Sequence, residues 1–480
     1  MNIFLLGNGF DLHHDLPTKY INFLNIVDYI KNEKSCDSCS TVGKVFSNPE
    51  LIKKDETIKL CNEKYNSVYK LIEIDTDSIQ ELRSLANKND WFEYMLECYR
   101  KNATWIDFEQ EISRVCKAFD TFFVANRKRR NPKISREFET IFRCFDSLFK
   151  LEVSYTQYSG YYETLNINSD FVININNSVK INESLIVETL YNSLMELAKM
   201  LRLYLKIFVD NTVEGLVAHS LIKQNDLFEN VDQVFTLNYT NTFAKVYGSN
   251  DNITLHIHGN IASDIVLGVQ ADEKDELEEN DSTFIMFKKY YQRSMCGTEY
   301  SLNSKINELK QSKDTIKLSI MGHSLDITDR DIIKKLFSVA DRIIIYYYGD
   351  KRAQGNYLKK LIHIFGQEKY DEIATRTLSP DIIICDEIGQ SCELNEIVNG
   401  LNSGIKFVLT AHASSLEEFK SREVYKKLFV ENNFKKAVFL VGCNQPCAVS
   451  KIYDFFEMKD ENNDNPYNMY SDCFDLRKAN

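Results

Sequence analysis

Apolar positions are spaced in three different ways along this chain, and each spacing predicts a different kind of element. Ile3, Phe4, Leu5 and Leu6 form a short continuous run closed by Gly7-Asn8-Gly9. Such a run predicts a strand buried in a parallel sheet. After Pro17 the period becomes helical, with Tyr20, Phe23, Leu24, Val27 and Ile30 on one face. The longest helical stripe runs through Val187, Leu190, Tyr191, Leu194, Leu197, Ala198, Leu201, Tyr204 and Phe208, and predicts core packing. Residues 32–67 are polar and irregular and predict a loop-rich insertion. Several amphipathic helices are expected over 68–230, with a hairpin or loop at 160–182, where Asn and Ser alternate with β-branched residues. Strand patterns return at 234–237, 253–258, 266–269, 316–321 and 343–348, with a helix expected from Phe284 to Arg293. Alternation over 253–258 places His256 and His258 on one face and Leu255 and Ile257 on the other.

The whole therefore reads as an α/β fold, a Rossmann-like parallel sheet interrupted by a largely helical insertion over 20–230. A domain over 1–367 is followed by a distinct segment over 368–460 and a polar tail over 461–480. The chain has 480 residues, 44% hydrophobic and 27% charged, an ordinary globular balance. No run reaches the roughly eighteen apolar residues that span a bilayer, and the first apolar run is too short for a signal-peptide core, so no membrane partner and a cytoplasmic location are expected. The net charge of −12 disfavours a nucleic-acid partner. Arg127-Lys128-Arg129-Arg130 reads as a solvated helix end or loop. Twelve cysteines without an export signal are expected to be reduced thiols. Cys36-x-x-Cys39 lacks a partner pair and Cys443 and Cys447 are four apart, so no metal site is expected. The seven acidic side chains within 272–281 read as a solvated loop.

The candidate chemistry lies where strands end. Gly7 and Gly9 leave no Cβ at a turn, so backbone N–H groups can approach a phosphate; the same pair also reads as a tight strand-to-helix turn. His258 precedes Gly259 at a strand end, and an imidazole there can accept a proton from a hydroxyl or water. Asn238 offers a donor and an acceptor to orient that group. Each also reads as an ordinary buried polar residue, and Gly322 and Ser324 as a plain strand-to-helix turn. Asp107 and Glu109 could face a cleft but read first as a solvated helix start, and His13-His14 as helix residues of either exposure.

Gly7-Asn8-Gly9-Phe10-Asp11-Leu12, continued by Asp15-Leu16-Pro17-Thr18-Lys19-Tyr20, resembles the opening motif of the abortive-infection AbiH family of phage-defence proteins. Leu237-Asn238-Tyr239-Thr240, His256-Ile257-His258-Gly259-Asn260 and Gly322-His323-Ser324-Leu325-Asp326 follow in the order of that family, as do a segment around Trp105–Ile112 and a Phe-x-Lys-x-Tyr segment within 284–293. The same strand ends resemble the sirtuin fold. That resemblance implies NAD as substrate or ligand, with Gly7, Asn8, Gly9, Asp11, Pro17, Gly322, His323 and Ser324 around the nucleotide and His258 and Asn238 as catalytic residues. Asp11 stands where sirtuins carry a small hydroxyl residue. The implied activity is cleavage of the nicotinamide–ribose bond; deacylation is disfavoured because the paired CxxC zinc module is absent. The alternative is a non-catalytic nucleotide sensor or assembly protein that triggers a partner effector. Expected partners are the nucleotide, a phage or host trigger protein and, as a homo-oligomer, a second copy of the chain.

Residues 379–454 resemble the C-terminal half of the ATPase core of stage III sporulation protein AA, on SPDIIICDEIG at 379–389, TAHASSLEEF at 410–419 and the closing KIYD at 451–454. Asp386-Glu387 would position magnesium and water in a P-loop ATPase. No Gly-x-x-x-x-Gly-Lys-Ser/Thr occurs: Gly43-Lys44 is followed by Val45, with Ser38 at the first glycine position. The segment is expected not to hydrolyse ATP and to act in assembly, docked on the AbiH-like region or on another chain.

Overall fold

The computed structural model describes residues 1–347 apart from 34–39, 103–105, 129–135, 157–159, 176–177, 223, 249–252 and 271–282. Beyond them it describes 351–367, 369–370, 382–385, 397, 406–409, 415–421, 436–440, 449–454, 460–461 and 476–478. Cys36, Cys39, Trp105, Arg129, Arg130, the acidic stretch 272–281, Asp386, Glu387, Thr410, His412, Cys443 and Cys447 lie outside the described residues. The chain forms two compact units, one of 1–314 with 319–339 and one of 315–318 with 340–480.

The first unit is built on β1 (Asn2–Leu6), whose inner residues are all buried. Two hairpins follow, β2 (Phe149–Thr156) with β3 (Gly160–Ile167) and β4 (Val172–Ile175) with β5 (Ser178–Ile181). Then come β6 (Gln233–Thr236), β7 (Thr254–His256) and β8 (Lys317–Met321), which belongs to this unit from Ser319 onward. Their order in the sheet is β8-β1-β6-β7. β1 and β6 are parallel with Ile3 opposite Gln233 and Leu6 opposite Thr236, and β6 and β7 are parallel with Thr236 opposite His256. The fold is thus mixed α/β with a parallel sheet. Spatial neighbours β1 and β6 are joined by a long, mainly helical excursion.

That excursion holds the largest core of the unit. Helices Tyr20–Asn32 and Glu183–Leu205 bury Phe23, Leu24, Val27, Leu190, Leu194 and Tyr204 together with Phe46, Trp91 and Phe108. Phe108 stacks on Tyr20 with ring centroids 4.1 Å apart. The expected loop over 32–67 is instead three helices, Val42–Phe46, Pro49–Lys54 and Glu56–Tyr69. The polar residues that suggested a loop are their N-caps: Thr41 accepts from Lys44 N, Asn48 from Glu50 and Leu51 N, and Asp55 from Thr57 and Ile58 N. Asp55 also takes the side-chain amides of Asn22 and Asn25, tying this segment to helix Tyr20–Asn32.

Three other expectations are corrected. Residues 266–269 form no strand; Val269 makes only an isolated parallel bridge to Lys288. β7 ends at His256, so the alternation stops before His258, which lies on the turn that follows. The helix expected over 284–293 is a short 3₁₀ turn, Ile285–Phe287, followed by helix Lys289–Met295.

The second unit contains β9 (Arg342–Tyr347) and helix Lys351–Phe365. Strands Ile382–Cys385 and Lys406–Leu409 are parallel, and Lys436–Leu440 is antiparallel to Val449–Asp454.

Candidate functional site

The first unit carries a cavity of about 530 Å³ beyond the carboxyl ends of β1, β6, β7 and β8. Ligands of open parallel sheets sit in this position, because strand-end loops and the helices after them converge there. Of the ten residues expected at the site, Gly7, Asn8, Asp11, Asn238, His258, Gly322, His323 and Ser324 line the cavity, whereas Gly9 and Pro17 do not. His256 does not line it either; its Nδ1 donates to the Asn238 carbonyl at 3.0 Å. Pro17 acts through its carbonyl, which accepts from the Tyr204 hydroxyl at 2.6 Å and anchors the motif to the helical core.

The glycines bring two loops together. Gly7 N–H donates to Met321 O at 3.0 Å, and Gly9 N–H donates to Gly322 O at 2.8 Å. A Cβ on Gly9 would lie 2.6 Å from Gly322 Cα, and one on Gly322 would lie 2.2 Å from Phe10 N. Gly322 also has φ +70°, a left-handed conformation that favours glycine. Both glycine N–H groups are therefore engaged within the protein, and the close approach of backbone to backbone is what demands glycine here.

Asp11 follows on the short helix Asn8–His13 and is 1% exposed. Its Oδ2 accepts from Thr240 Oγ1 at 2.6 Å, and Thr242 Oγ1 donates to Thr240 Oγ1 at 3.2 Å. Its Oδ1 has no hydrogen-bond partner. Burial pushes the carboxyl up to about 6, against the hydroxyls of Thr240 and Thr242, which favour the charge. Asn238 Nδ2 donates to the Gly7 carbonyl at 3.1 Å, locking the end of β6 to the end of β1.

The opposite wall is an ionic network. Lys289, 1% exposed, donates to Asp329 Oδ1 at 2.8 Å and sits 2.7 Å from Glu109 Oε1. His323 Nδ1 accepts from Leu325 N–H at 3.0 Å, so its proton sits on Nε2, which donates to Asp329 Oδ2 at 3.3 Å. His258 Nε2 lies 3.3 Å from Asp329 Oδ1 without hydrogen-bond geometry. Burial opposes the charge of Asp329, but Lys289 outweighs it and holds the carboxyl well below the usual range. Burial lowers His258, against Asp329, so its imidazole is neutral at pH 7. Burial raises Glu109, against Lys289.

Glu109 faces the cavity rather than solvent, while Asp107 at the cavity edge caps helix Phe108–Arg127 through Glu109 and Gln110 N–H. Lys289 and Asp329 carry no role in the sequence reading. Lys289 is the lysine of the Phe-x-Lys-x-Tyr segment (Phe287, Lys289, Tyr291), and Asp329 lies three residues beyond the Gly-His-Ser-Leu-Asp motif; those strings were the available signal. Tyr20, Tyr239 and Leu201 also line the cavity.

The fold and this cavity define an α/β protein with a pocket of about 530 Å³, of mixed polar and apolar lining, at the strand ends of its sheet. The chain belongs to the family described as bacteriophage abortive infection AbiH, whose profile matches residues 3–348. A second profile, sporulation stage III protein AA, matches residues 372–458. The stage III sporulation protein AA of Bacillus subtilis (strain 168) is 32% identical over 79 residues, 16% of this chain and 26% of that protein. The chain thus spans about a quarter of the length of that relative. Among the described residues, no helix is long and apolar enough to cross a membrane.

Proposed function

We propose that this protein acts in phage abortive infection by binding NAD, or a closely related nucleotide, in the strand-end cavity and hydrolysing its nicotinamide–ribose bond. The observation that carries the reading is the convergence of His258, Asn238 and the Gly322–Ser324 loop on one cavity of fitting volume at the carboxyl ends of parallel strands. It agrees with the sirtuin-like character of the four strand-end motifs.

In this reading the neutral imidazole of His258 takes a proton from a water that attacks the ribose C1′. The C1′–N bond breaks with its electron pair passing to the nicotinamide ring, which leaves uncharged. Carboxylates in the cavity stabilise the positive charge that develops on the ribose. Asn238 fixes the spacing of the β1 and β6 ends, and its remaining carbonyl oxygen is an acceptor for a substrate hydroxyl. Depletion of NAD would halt the infected cell, and a phage or host protein would trigger it.

Calorimetric titration of the purified chain with NAD, NADP and ADP-ribose tests binding, and chromatography of released nicotinamide tests turnover. Binding of at least one and release of nicotinamide are expected. Absence of heat with all three overturns the reading. Binding without turnover, in the presence and absence of phage, replaces it with the sensing reading.

A further inference from the structure

Three residues that line the cavity each keep one buried polar atom without a hydrogen-bond partner within the protein: Asp11 Oδ1, Glu109 Oε2 and His258 Nε2. A buried acceptor without a donor is costly, and folded proteins rarely keep one except where something else supplies the partner. Here three gather on one cavity. Two are carboxylate oxygens, which only accept when ionised. Whatever satisfies them must bring O–H or N–H groups. A phosphate brings only acceptors and negative charge.

The charges point the same way. Asp11, Asp107, Glu109, Asp326 and Asp329 line the cavity, and Lys19 is the only lysine or arginine among the lining residues. Lys289, behind the wall, is already shared between Asp329 and Glu109. Lys19 is exposed, whereas Asp11 and His258 are almost fully buried, so the cation belongs to the mouth and the acceptors to the interior.

We propose that the interior of the cavity recognises a ribosyl group, uncharged or cationic and rich in hydrogen-bond donors, through the carboxyl groups of Asp11 and Glu109, with the phosphate-bearing end held outward at Lys19. The inference rests on the nucleotide reading above and adds to it the part of the ligand that is recognised, the orientation, and two residues that touch it. It implies that a ribosyl ligand without any phosphate is recognised.

The test is calorimetric titration of wild type, Asp11→Asn, Glu109→Gln and Lys19→Ala with nicotinamide riboside, NAD and inorganic pyrophosphate, with melting temperature as a check that each variant folds. Nicotinamide riboside should bind wild type. Asp11→Asn and Glu109→Gln should each weaken it by about tenfold to a hundredfold, the worth of a hydrogen bond to a charged group. Lys19→Ala should weaken NAD and leave the riboside unchanged. Should Asp11→Asn not fold, Glu109→Gln decides. The proposal is overturned if pyrophosphate binds as tightly as NAD, if the folded carboxyl variants bind the riboside like wild type, or if the riboside does not bind. Riboside binding that depends on the carboxyls, with NAD neither bound nor cleaved, would uphold the recognition in the interior but overturn the phosphate placement at Lys19 and remove the NAD reading. NAD binding that is indifferent to both carboxyls would do the reverse.

Discussion

Asp11 is pulled in opposite directions by its burial and by the hydroxyls of Thr240 and Thr242. Its carboxyl is raised from 3.8 to about 6 because the folded state disfavours the charge. A group raised on folding contributes stability that is complete below its unfolded pKa and is lost as pH rises through its folded value. A shift of about two units corresponds to roughly 3 kcal/mol. Urea denaturation of wild type and Asp11→Asn should therefore show wild type losing up to about 3 kcal/mol relative to the variant between pH 4 and pH 7. A flat difference would mean that Asp11 titrates at its ordinary value. For His258 the proposed role is chemical: His258→Ala, folded as judged by circular dichroism, should lose about a hundredfold to ten-thousandfold of nicotinamide release. Full release from that variant would remove His258 from the mechanism. His258, Asn238 and the Gly322–Ser324 turn were legible in the sequence because each stands beside a strand run in a recognisable string. Glu109 was not, because its partner Lys289 lies 180 residues further on, and only the folded chain brings the two within 2.7 Å.

Three elements meet at the ionic wall: helix Phe108–Arg127 supplies Glu109, helix Lys289–Met295 supplies Lys289, and the turn before helix Arg330–Phe337 supplies Asp329. Removing the shared cation would strand two buried carboxylates. Lys289→Met should cost about 3–5 kcal/mol in chemical denaturation, and adding Asp329→Asn and Glu109→Gln should recover much of that loss. No recovery would show that Lys289 stabilises by packing alone. The turn of β8 into Gly322 is equally constrained. Gly322→Ala would place a Cβ 2.2 Å from Phe10 N at φ +70°, and should destabilise by more than the roughly 1–3 kcal/mol of backbone strain alone. A melting temperature like wild type would contradict the Gly9–Gly322 contact. The helices of the 42–69 stretch show the limit of pattern reading. Thr41, Asn48 and Asp55 are loop-like residues by composition, and their helical role depends on the amide groups that follow them.

On the scale of the whole chain, the AbiH region and the sporulation-protein-like segment carry separate expectations. Phosphoryl transfer needs the phosphates held and their charge neutralised, and the sequence has no Walker-type loop to do either. The purified chain should show no magnesium-dependent ATP hydrolysis; hydrolysis abolished by Glu387→Gln would reveal a phosphate site. The order of the strands was only partly legible, since alternation and apolar runs mark strands without stating which neighbour each will find. β1 finds β6, from Ile3 to Gln233, and its loop closes on Gly322. That pairing has a consequence for synthesis. β1 waits for partners made much later, so the contact order is high and the strand edge of β1 stays open meanwhile. At about 5–20 residues per second, a ribosome needs roughly twenty seconds to a minute to pass from β1 to Asp329. A nascent or truncated chain has no cavity, and a toxic activity housed there would be withheld until translation of this region is complete.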